Sequence, residues 1–524
     1  MNDVQGPIAV PVADPLKMAW YELSDLGNAR RLRDLAGGKL LWVDDHWQGY
    51  DGRRWSREDG KRLAHLTAHE VALHISAEAG AILAEIEDGR VQKDQVGRWE
   101  ERATALFKHA VMSGNANKTA AMLMQAQNLM FATRDDFDRD PLAINVANGT
   151  LRFFESDGQW KVRRDPHDPA DMISRVADAE WLDAMHPDAG CPTWDAHMAT
   201  VLPDPAVRAF FQACAGYGAT GSIREQVIFI LQGKGGDGKS TCMNVLRETL
   251  GGYATKSDVQ TFMAGALRSG ADATPDLARL AGDTRLVTTA EPKVGGMLDE
   301  SRIKDITGGE PIQARELHGA PFTFDPRCKI FFQCNRKPRV SGDDDGIWRR
   351  IIVIMFPHQF KDEAINKRIM EDLLAEKAGV LRWLVDGVLT WLNTGELKPP
   401  PSVREATDDY RRASNPFGEW FADHVDTSDP KCVTPAQELF DSYKAFCADN
   451  GVDDRGIMNS TSFGRALGDK QLIKFKSHGG RVHRRGCRLR GGDELFQAAR
   501  PVVADDGLGV PDPRDAGPMP GWDD

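Results

Sequence analysis

The chain has 524 residues, 41% hydrophobic and 27% charged, enough for roughly three or four domains. It contains no run of 18 or more apolar residues, and its start, MNDVQGPIAVPVADP, lacks the basic and apolar regions of a signal peptide, so neither membrane spanning nor export is expected. A net charge of −12 excludes a surface broadly coated with nucleic-acid contacts; eight scattered cysteines with no C-x-x-C pair argue against disulfides or a cysteine zinc site and fit a reducing cytoplasm.

Residues 1–60 read as a lead-in. A loose Pro- and Val-rich start is followed by a short helix over LSDLGNARRLRDLAG and a β-hairpin over KLLWVDDHWQGYDGRRW, with aromatics on each arm and a Gly/Asp turn. Residues 61–221 form a mainly helical domain, with apolar residues three and four apart in VALHISAEAGAILAEI and TAAMLMQAQNLM. From about 138 to 165 the texture changes to short strands, where Asn148-Gly149 is the strongest turn signal; helix returns from Cys191 to Tyr217. A further domain occupies 222–397 and ends in a helical segment over 361–396. Lys398–Ser402 reads as a linker into a small domain over 403–490. The Gly-, Pro- and Asp-rich stretch 491–524 has few large apolar residues and reads as a disordered acidic tail.

The most informative segment is 233–240, GKGGDGKS, a full match to the phosphate-cradling pattern G-x-x-x-x-G-K-[ST]. An apolar strand, Val227 to Leu231, precedes it and an amphipathic helical stretch, Thr241 to Leu250, follows, which is the context the pattern needs. Gly233, Gly235, Gly236, Asp237 and Gly238 form a loop whose N–H groups turn toward phosphate oxygens, and Thr241 belongs to the helix start, where the dipole adds positive potential. Lys239 is placed to reach the β- and γ-phosphates of a nucleoside triphosphate, and Ser240 to ligate Mg²⁺.

Three further strands follow. Arg285 to Glu291 is a strand ending in an acid, expected at the tip of the strand next to the loop, where Glu291 can bind Mg²⁺ or orient the attacking water. Lys329 to Asn335 is a core strand ending in an amide; Asn335 either polarises a water or merely starts the turn into Lys337-Pro338. Arg349 and Arg350 directly precede the strand Ile351 to Met355, where a ring-forming ATPase can project a cation into the neighbouring subunit's site.

GKGGDGKS, LVTTAE, IKDITGGEPIQAREL, KIFFQCN and IWRRIIVIMF, in that order and spacing, resemble the superfamily 3 helicases, specifically the phage and plasmid primase–helicase family that includes the poxvirus uncoating-type NTPase. The resemblance covers roughly residues 20–400. It implies an α/β fold: an AAA+-like P-loop domain with a central parallel sheet, preceded by a mainly helical domain and followed by a winged-helix-like domain. It also implies an ATP- and Mg²⁺-dependent replicative DNA helicase that assembles as a homo-oligomeric ring, a hexamer, and moves along single-stranded or forked DNA in a bacterial host's cytoplasm. A separate primase or replisome proteins would be further partners, and no membrane. Carried onto this chain, Lys239 and Ser240 bind phosphate and metal, Glu291 is the catalytic acid, Asn335 the sensor, and Arg349 or Arg350 the finger acting in trans. Lys304 falls near the subunit interface, and Arg315 to Phe324 resembles the hairpin lining the ring channel, with His318 near its tip. One departure is Ala290-Glu291, a single acid where many relatives carry an adjacent pair.

No primase is expected here. Asp136-Phe137-Asp138 follows no apolar strand, and about 60 residues ahead of the helical region are too few for such a domain. Residues 470–490, KQLIKFKSHGGRVHRRGCRLR, are densely basic and preceded by helical stretches. This suits a winged helix in which Phe475, Val482 and Leu489 face the core while Lys474, Lys476, Arg481, Arg484 and Arg485 project toward DNA phosphates; a solvated strand pair balancing the acidic tail is the plain alternative. Two other functions remain open: an ATP-gated initiator or loader, and a DNA-packaging ATPase with little unwinding.

Overall fold

The computed structural model describes residues 13–265, 273–289, 291–292, 296–317, 319–340, 345–361, 366–450, 457–477 and 480–490. They divide into two compact units, Met1–Arg411 and Arg412–Asp524. The tail over 491–524 lies outside the described residues.

The first unit opens with a helix, Asp25–Ala36, begun by the Ser24 side chain accepting from the Gly27 N–H and stopped by Gly37 at φ 57°. The hairpin after it pairs Leu40–Val43 with His46–Tyr50, Trp42 opposite Trp47. Asp44 and Asp45 make its turn at φ 47° and 64°, the left-handed backbone a two-residue hairpin turn requires. Three helices, Arg57–Glu87, Val96–Ser113 and Ala116–Leu129, then close a core around Val71, Ile75, Ile82, Leu106 and Met122. No helix among the described residues is long and apolar enough to cross a membrane.

An antiparallel sheet of Ile144–Val146, Gly149–Ser156 and Gln159–Asp165 comes next. Val146 pairs with Gly149, so the turn is Ala147-Asn148, one residue earlier than the Asn-Gly signal implied. Gly149 instead answers a close approach: a Cβ there would lie 2.5 Å from the Asp165 carbonyl oxygen.

Five parallel strands form the centre: β1 (Ile228–Gly233), β2 (Ala254–Ser257), β3 (Leu286–Thr289), β4 (Lys329–Cys334) and β5 (Ile351–Phe356). Their order across the sheet is β5-β1-β4-β3-β2. Alternating side chains feed two cores. Phe229, Leu231, Phe331 and Ile354 pack with helices Pro192–Val201, Pro205–Ala219, Lys239–Leu250 and Lys377–Thr394 on one face; Ile228, Ile230, Ile330 and Val353 pack with Glu300–Gly308 on the other. Burial on both faces is why these strands read as unbroken apolar runs. The order corrects one expectation: the acid-ending strand β3 is not next to the loop strand β1, because β4 lies between them and pairs with both.

The expected linker is also shorter than the sequence implied. A helix, Pro401–Ser414, begins inside it, with Pro401 at its first position, where the missing N–H costs nothing. Val403 and Tyr410 are buried, Val353 N–H donates to Thr407 Oγ1 at 3.0 Å, and Tyr410 packs edge-on against Trp348. Through Arg411 this helix therefore belongs to the first unit.

The second unit contains helices Pro416–His424, Ala436–Asp449 and Ser460–Asp469, a sheet in which Val482–Arg485 lies between Val433–Pro435 and Ile473–Lys476, and a short pair of Val425–Asp426 with Arg488–Leu489. Its core gathers Trp420, Leu439, Tyr443, Phe463, Leu467, Leu472 and Cys487. Phe475, Val482 and Leu489, expected inside, are each half-buried.

Candidate functional site

The parallel sheet ends all five strands along one edge, and the residues just past β1, β3 and β4 meet there. Past β1 the chain turns through Gly235, Gly236 and Gly238, at φ 86°, 61° and 82°, before the helix Lys239–Leu250 begins with Gly238 as its N-cap. Phe360, past β5, pins the loop from behind: its N–H donates to the Gly236 carbonyl at 2.8 Å. A Cβ on Gly238 would fall 2.5 Å from Val201 Cγ1, so glycine is required there for space as well as for backbone. His197 and Phe360 stack behind the loop with ring centroids 6.0 Å apart, and burial, reinforced by the charge of nearby His358, lowers the His197 pKa.

Lys239 is buried in the loop, where its Nζ donates to the Asp237 carboxylate and, at 3.2 Å, to Asn335 Oδ1. Asn335 Nδ2 in turn donates to Glu291 Oε2 at 2.9 Å. Ser240 Oγ donates to Gln333 Oε1 at 3.0 Å, and Gln333 is held by Nε2 donating to the Thr289 carbonyl at 3.3 Å. Lys239, Ser240, Glu291 and Asn335 are thus brought together, with β4 supplying the bridge. Thr241, one residue on in the same helix, is half-buried. Burial pushes the neighbouring Cys334 thiol up to about 12, so it stays neutral beside them.

Gln333 was not singled out from the sequence. The signal existed in the period of two: Gln333 and Asn335 lie two apart and both reach residues opening the helix after the loop, Ser240 and Lys239. Chemically the cluster offers one buried cation, a hydroxyl, two amides and two carboxylates, Asp237 and Glu291. Among the described residues no group of three or more His, Cys, Asp or Glu could hold a metal ion. That donor set suits a hard cation held by Ser240 and Glu291 together with a ligand's own phosphate oxygens, the usual manner for Mg²⁺.

The two candidate fingers separate clearly. Arg350 is 8% exposed; its Nε donates to Thr307 Oγ1 at 3.0 Å and its Nη1 to the Gly346 carbonyl at 2.6 Å. It joins the helix Glu300–Gly308 to the turn before β5 and is not available to project, which corrects the finger assignment for that position. Arg349 is exposed and borders a cavity of about 360 Å³ with Arg404 and Asp408.

The hairpin candidate is a two-stranded ribbon, Ile312–Arg315 with Pro321–Phe324. Arg315 is half-buried and its Nε donates to the Gly319 carbonyl at 3.0 Å, closing the loop, while its backbone is tied to Thr274. His318 lies outside the described residues. Leu317 beside it is 69% exposed, a large apolar side chain at the ribbon's end that sequence reasoning passed over. Lys304 is half-buried on its helix and already engaged with a neighbouring group.

In the second unit Lys474, Lys476, Arg481 and Arg485 are exposed along the strand pair, with Arg485 lying 5.2 Å over the Phe475 ring. Arg484 is the exception. It is 5% exposed and donates to the carbonyls of Leu472, at 2.9 Å, and Gly464. Pairing puts it beside buried Thr434 on the inner face, so it is a structural arginine and not a phosphate contact. Arg465 and Lys470, which the sequence reading did not name, add exposed cations nearby.

Residues 29–203 match the family model described as D5 N terminal like, and residues 231–350 match one described as a family of unknown function (DUF5906). A protein of Acanthamoeba polyphaga mimivirus named as a helicase is 28% identical over 274 residues, 49% of this chain and 28% of that protein. One of Frog virus 3 (isolate Goorha), also named as a helicase, is 25% identical over 276 residues, again 49% of this chain and 28% of that protein. The chain thus spans little more than a quarter of the length of these viral relatives. The solved C-terminal region of NrS-1 aligns at a TM-score of 0.39 and 12% identity, over 66% of this chain and 96% of that one. The D5 N terminal like match lies ahead of the glycine loop and the helicase-named relatives overlap about half of the chain, so the chain is similar to superfamily 3 helicase-like proteins of the phage type.

Proposed function

We propose that this chain is an ATP-dependent, ring-forming replicative DNA helicase that takes ATP with Mg²⁺ at the glycine loop and moves along single-stranded DNA. The observation that carries the reading is the placement of Arg349 relative to Lys239. Lys239, Ser240, Glu291 and Asn335 gather at the C-terminal edge of the sheet, whereas Arg349 stands just before β5, at the opposite edge. β5 runs six residues in parallel register with β1, a span of roughly 20 Å at about 3.3 Å per residue. Arg349 therefore cannot serve its own loop. An exposed arginine at that edge could complete a site only in a neighbouring copy, which supports a ring of identical subunits.

In this reading Lys239 and the loop N–H groups neutralise the phosphates, Ser240 and Glu291 hold Mg²⁺, Asn335 aligns Glu291 with the attacking water, and Arg349 of the next copy meets the charge developing in transfer. The all-parallel sheet supports the AAA+-like assignment. In the second unit, three helices and a three-stranded sheet with cations along its strand pair support a winged-helix-like DNA-binding module. Helicase-named viral relatives support DNA as the substrate.

The test is unwinding of a forked DNA duplex by the full chain with ATP, with a non-hydrolysable analogue, and by Lys239→Ala. ATP-dependent strand separation lost in the other two arms is expected. ATP hydrolysis without strand separation would favour the initiator, loader or packaging readings instead, and no hydrolysis at all would sink the assignment.

A further inference from the structure

The place that nucleotide phosphate would take in the glycine loop is filled from within the chain. Asp237 and Lys239 are 3% and 2% exposed. Oδ2 of Asp237 accepts from Lys239 Nζ and, at 3.2 Å, from the Gly235 N–H; Oδ1 accepts from the Lys239 N–H at 3.3 Å. One cation and two backbone donors converge on a single carboxylate, and such loops present the same donor set to a phosphate group. Gly233 lies directly beneath. A Cβ there would meet Asp237 Oδ2 at 1.8 Å and Lys239 Nζ at 2.8 Å. Gly233 is not among the glycines with positive φ, so space for the folded-in pair, and not backbone freedom, is what demands glycine at this position.

We propose that Asp237 is an internal stand-in for phosphate: its carboxylate neutralises Lys239 within the loop and must swing out before nucleotide can bind. This rests on the nucleotide-binding reading above and adds to it a residue that sets affinity. A carboxylate and a phosphate held together on one lysine disfavour each other, because both are anions at contact distance. The apparent dissociation constant is then the intrinsic one divided by the fraction of loops in which Asp237 is already out. The carboxylate also has a structural benefit when it is folded in, since a buried ammonium without a partner is costly. Asparagine keeps the shape and some acceptor capacity but loses the charge, and hydrogen bonds to a neutral partner are about half as strong.

The experiment is an equilibrium titration of the full chain with a fluorescent ATP analogue, with and without Mg²⁺. It compares the parent chain with Asp237→Asn, Asp237→Ala and Lys239→Ala, each checked for folding by thermal melting. Without Mg²⁺, Asp237→Asn is expected to bind about tenfold more tightly, as releasing a loop that is closed about 90% of the time would give. Asp237→Ala should also bind more tightly, and Lys239→Ala should not bind. Equal or weaker binding by the folded Asp237 variants overturns the proposal. Weakening confined to the Mg²⁺ arm assigns the carboxylate to the metal and overturns it too. A parent chain that does not bind the analogue at all would instead overturn the nucleotide-site reading.

Discussion

The Asn335 amide donates to the Glu291 carboxylate at 2.9 Å while its own oxygen accepts from Lys239 Nζ at 3.2 Å, so one side chain just past β4 couples the loop lysine to the strand-end acid. Asn335→Ala should keep nucleotide binding, because Lys239 and the loop remain, and lower the ATP turnover rate by about 10²-fold through loss of an oriented acid. Gln333→Leu should act differently. It frees Ser240 Oγ from its 3.0 Å partner, so the Mg²⁺ concentration for half-maximal turnover is expected to rise more than the maximal rate falls. Steady-state ATPase measurements across a Mg²⁺ series separate the two, and identical profiles would remove the distinction.

The adjacent arginines should part company in mixing experiments. Arg349→Ala is expected to bind nucleotide normally and to lose about 10³–10⁵ in turnover, with partial recovery when mixed with Lys239→Ala subunits. Arg350→Ala should mainly lower stability, by about 1–3 kcal/mol, since Thr307 Oγ1 and the Gly346 carbonyl lose a buried donor. Thermal melting and mixed-subunit ATPase assays read these out. A stable Arg350→Ala chain that is rescued by mixing would reverse the assignment.

Leu317, 69% exposed at the end of the ribbon, offers a test of the channel reading that does not depend on His318 alone. Leu317→Ala should leave basal ATPase within about twofold, because Leu317 is not among the residues gathered at the proposed nucleotide site, while stimulation by single-stranded DNA and fork unwinding fall together. His318→Ala is expected to behave alike. If both retain full unwinding, the ribbon does not touch DNA.

In the second unit the prediction is a split among neighbouring cations. Alanine at Lys474, Lys476, Arg481 or Arg485 should each weaken DNA binding without sequence preference and reduce the slope of log affinity against log salt by about 0.7–0.9. Arg484→Ala should leave that slope unchanged at temperatures where the unit is folded, and lower its melting temperature, because the Leu472 and Gly464 carbonyls lose their buried donor. Salt-dependent fluorescence anisotropy with a labelled single strand measures the first effect. An Arg484→Ala slope reduced like the others would place that arginine on the DNA.

Local chemistry carried much of the architecture. The glycine loop, the strand before it and the helix after it were legible because their signals sit within about two dozen consecutive residues: positive-φ glycines, an unbroken apolar run, a lysine and serine opening a helix. The N-terminal hairpin and long helices were legible for the same reason, their periods being written along the chain. Side-by-side order in the sheet was not, because hydrogen bonding between β1, β4 and β3 joins residues some 40 to 100 positions apart and no local pattern records which strand lies between which. The same nonlocality decided individual residues. Arg349 and Arg350 are chemically alike in sequence, and only the approach of Thr307 and Gly346 buries one of them. Arg484 looked like any other cation in a basic run until strand pairing turned it inward beside Thr434. Gln333 gained its role from the position of Ser240, and Asp237 from a loop curled tightly enough to bring its carboxylate onto Lys239. The sequence by itself determined which residues could do phosphate chemistry; packing decided which of them face the site, because burial and pairing depend on distant parts of the chain meeting.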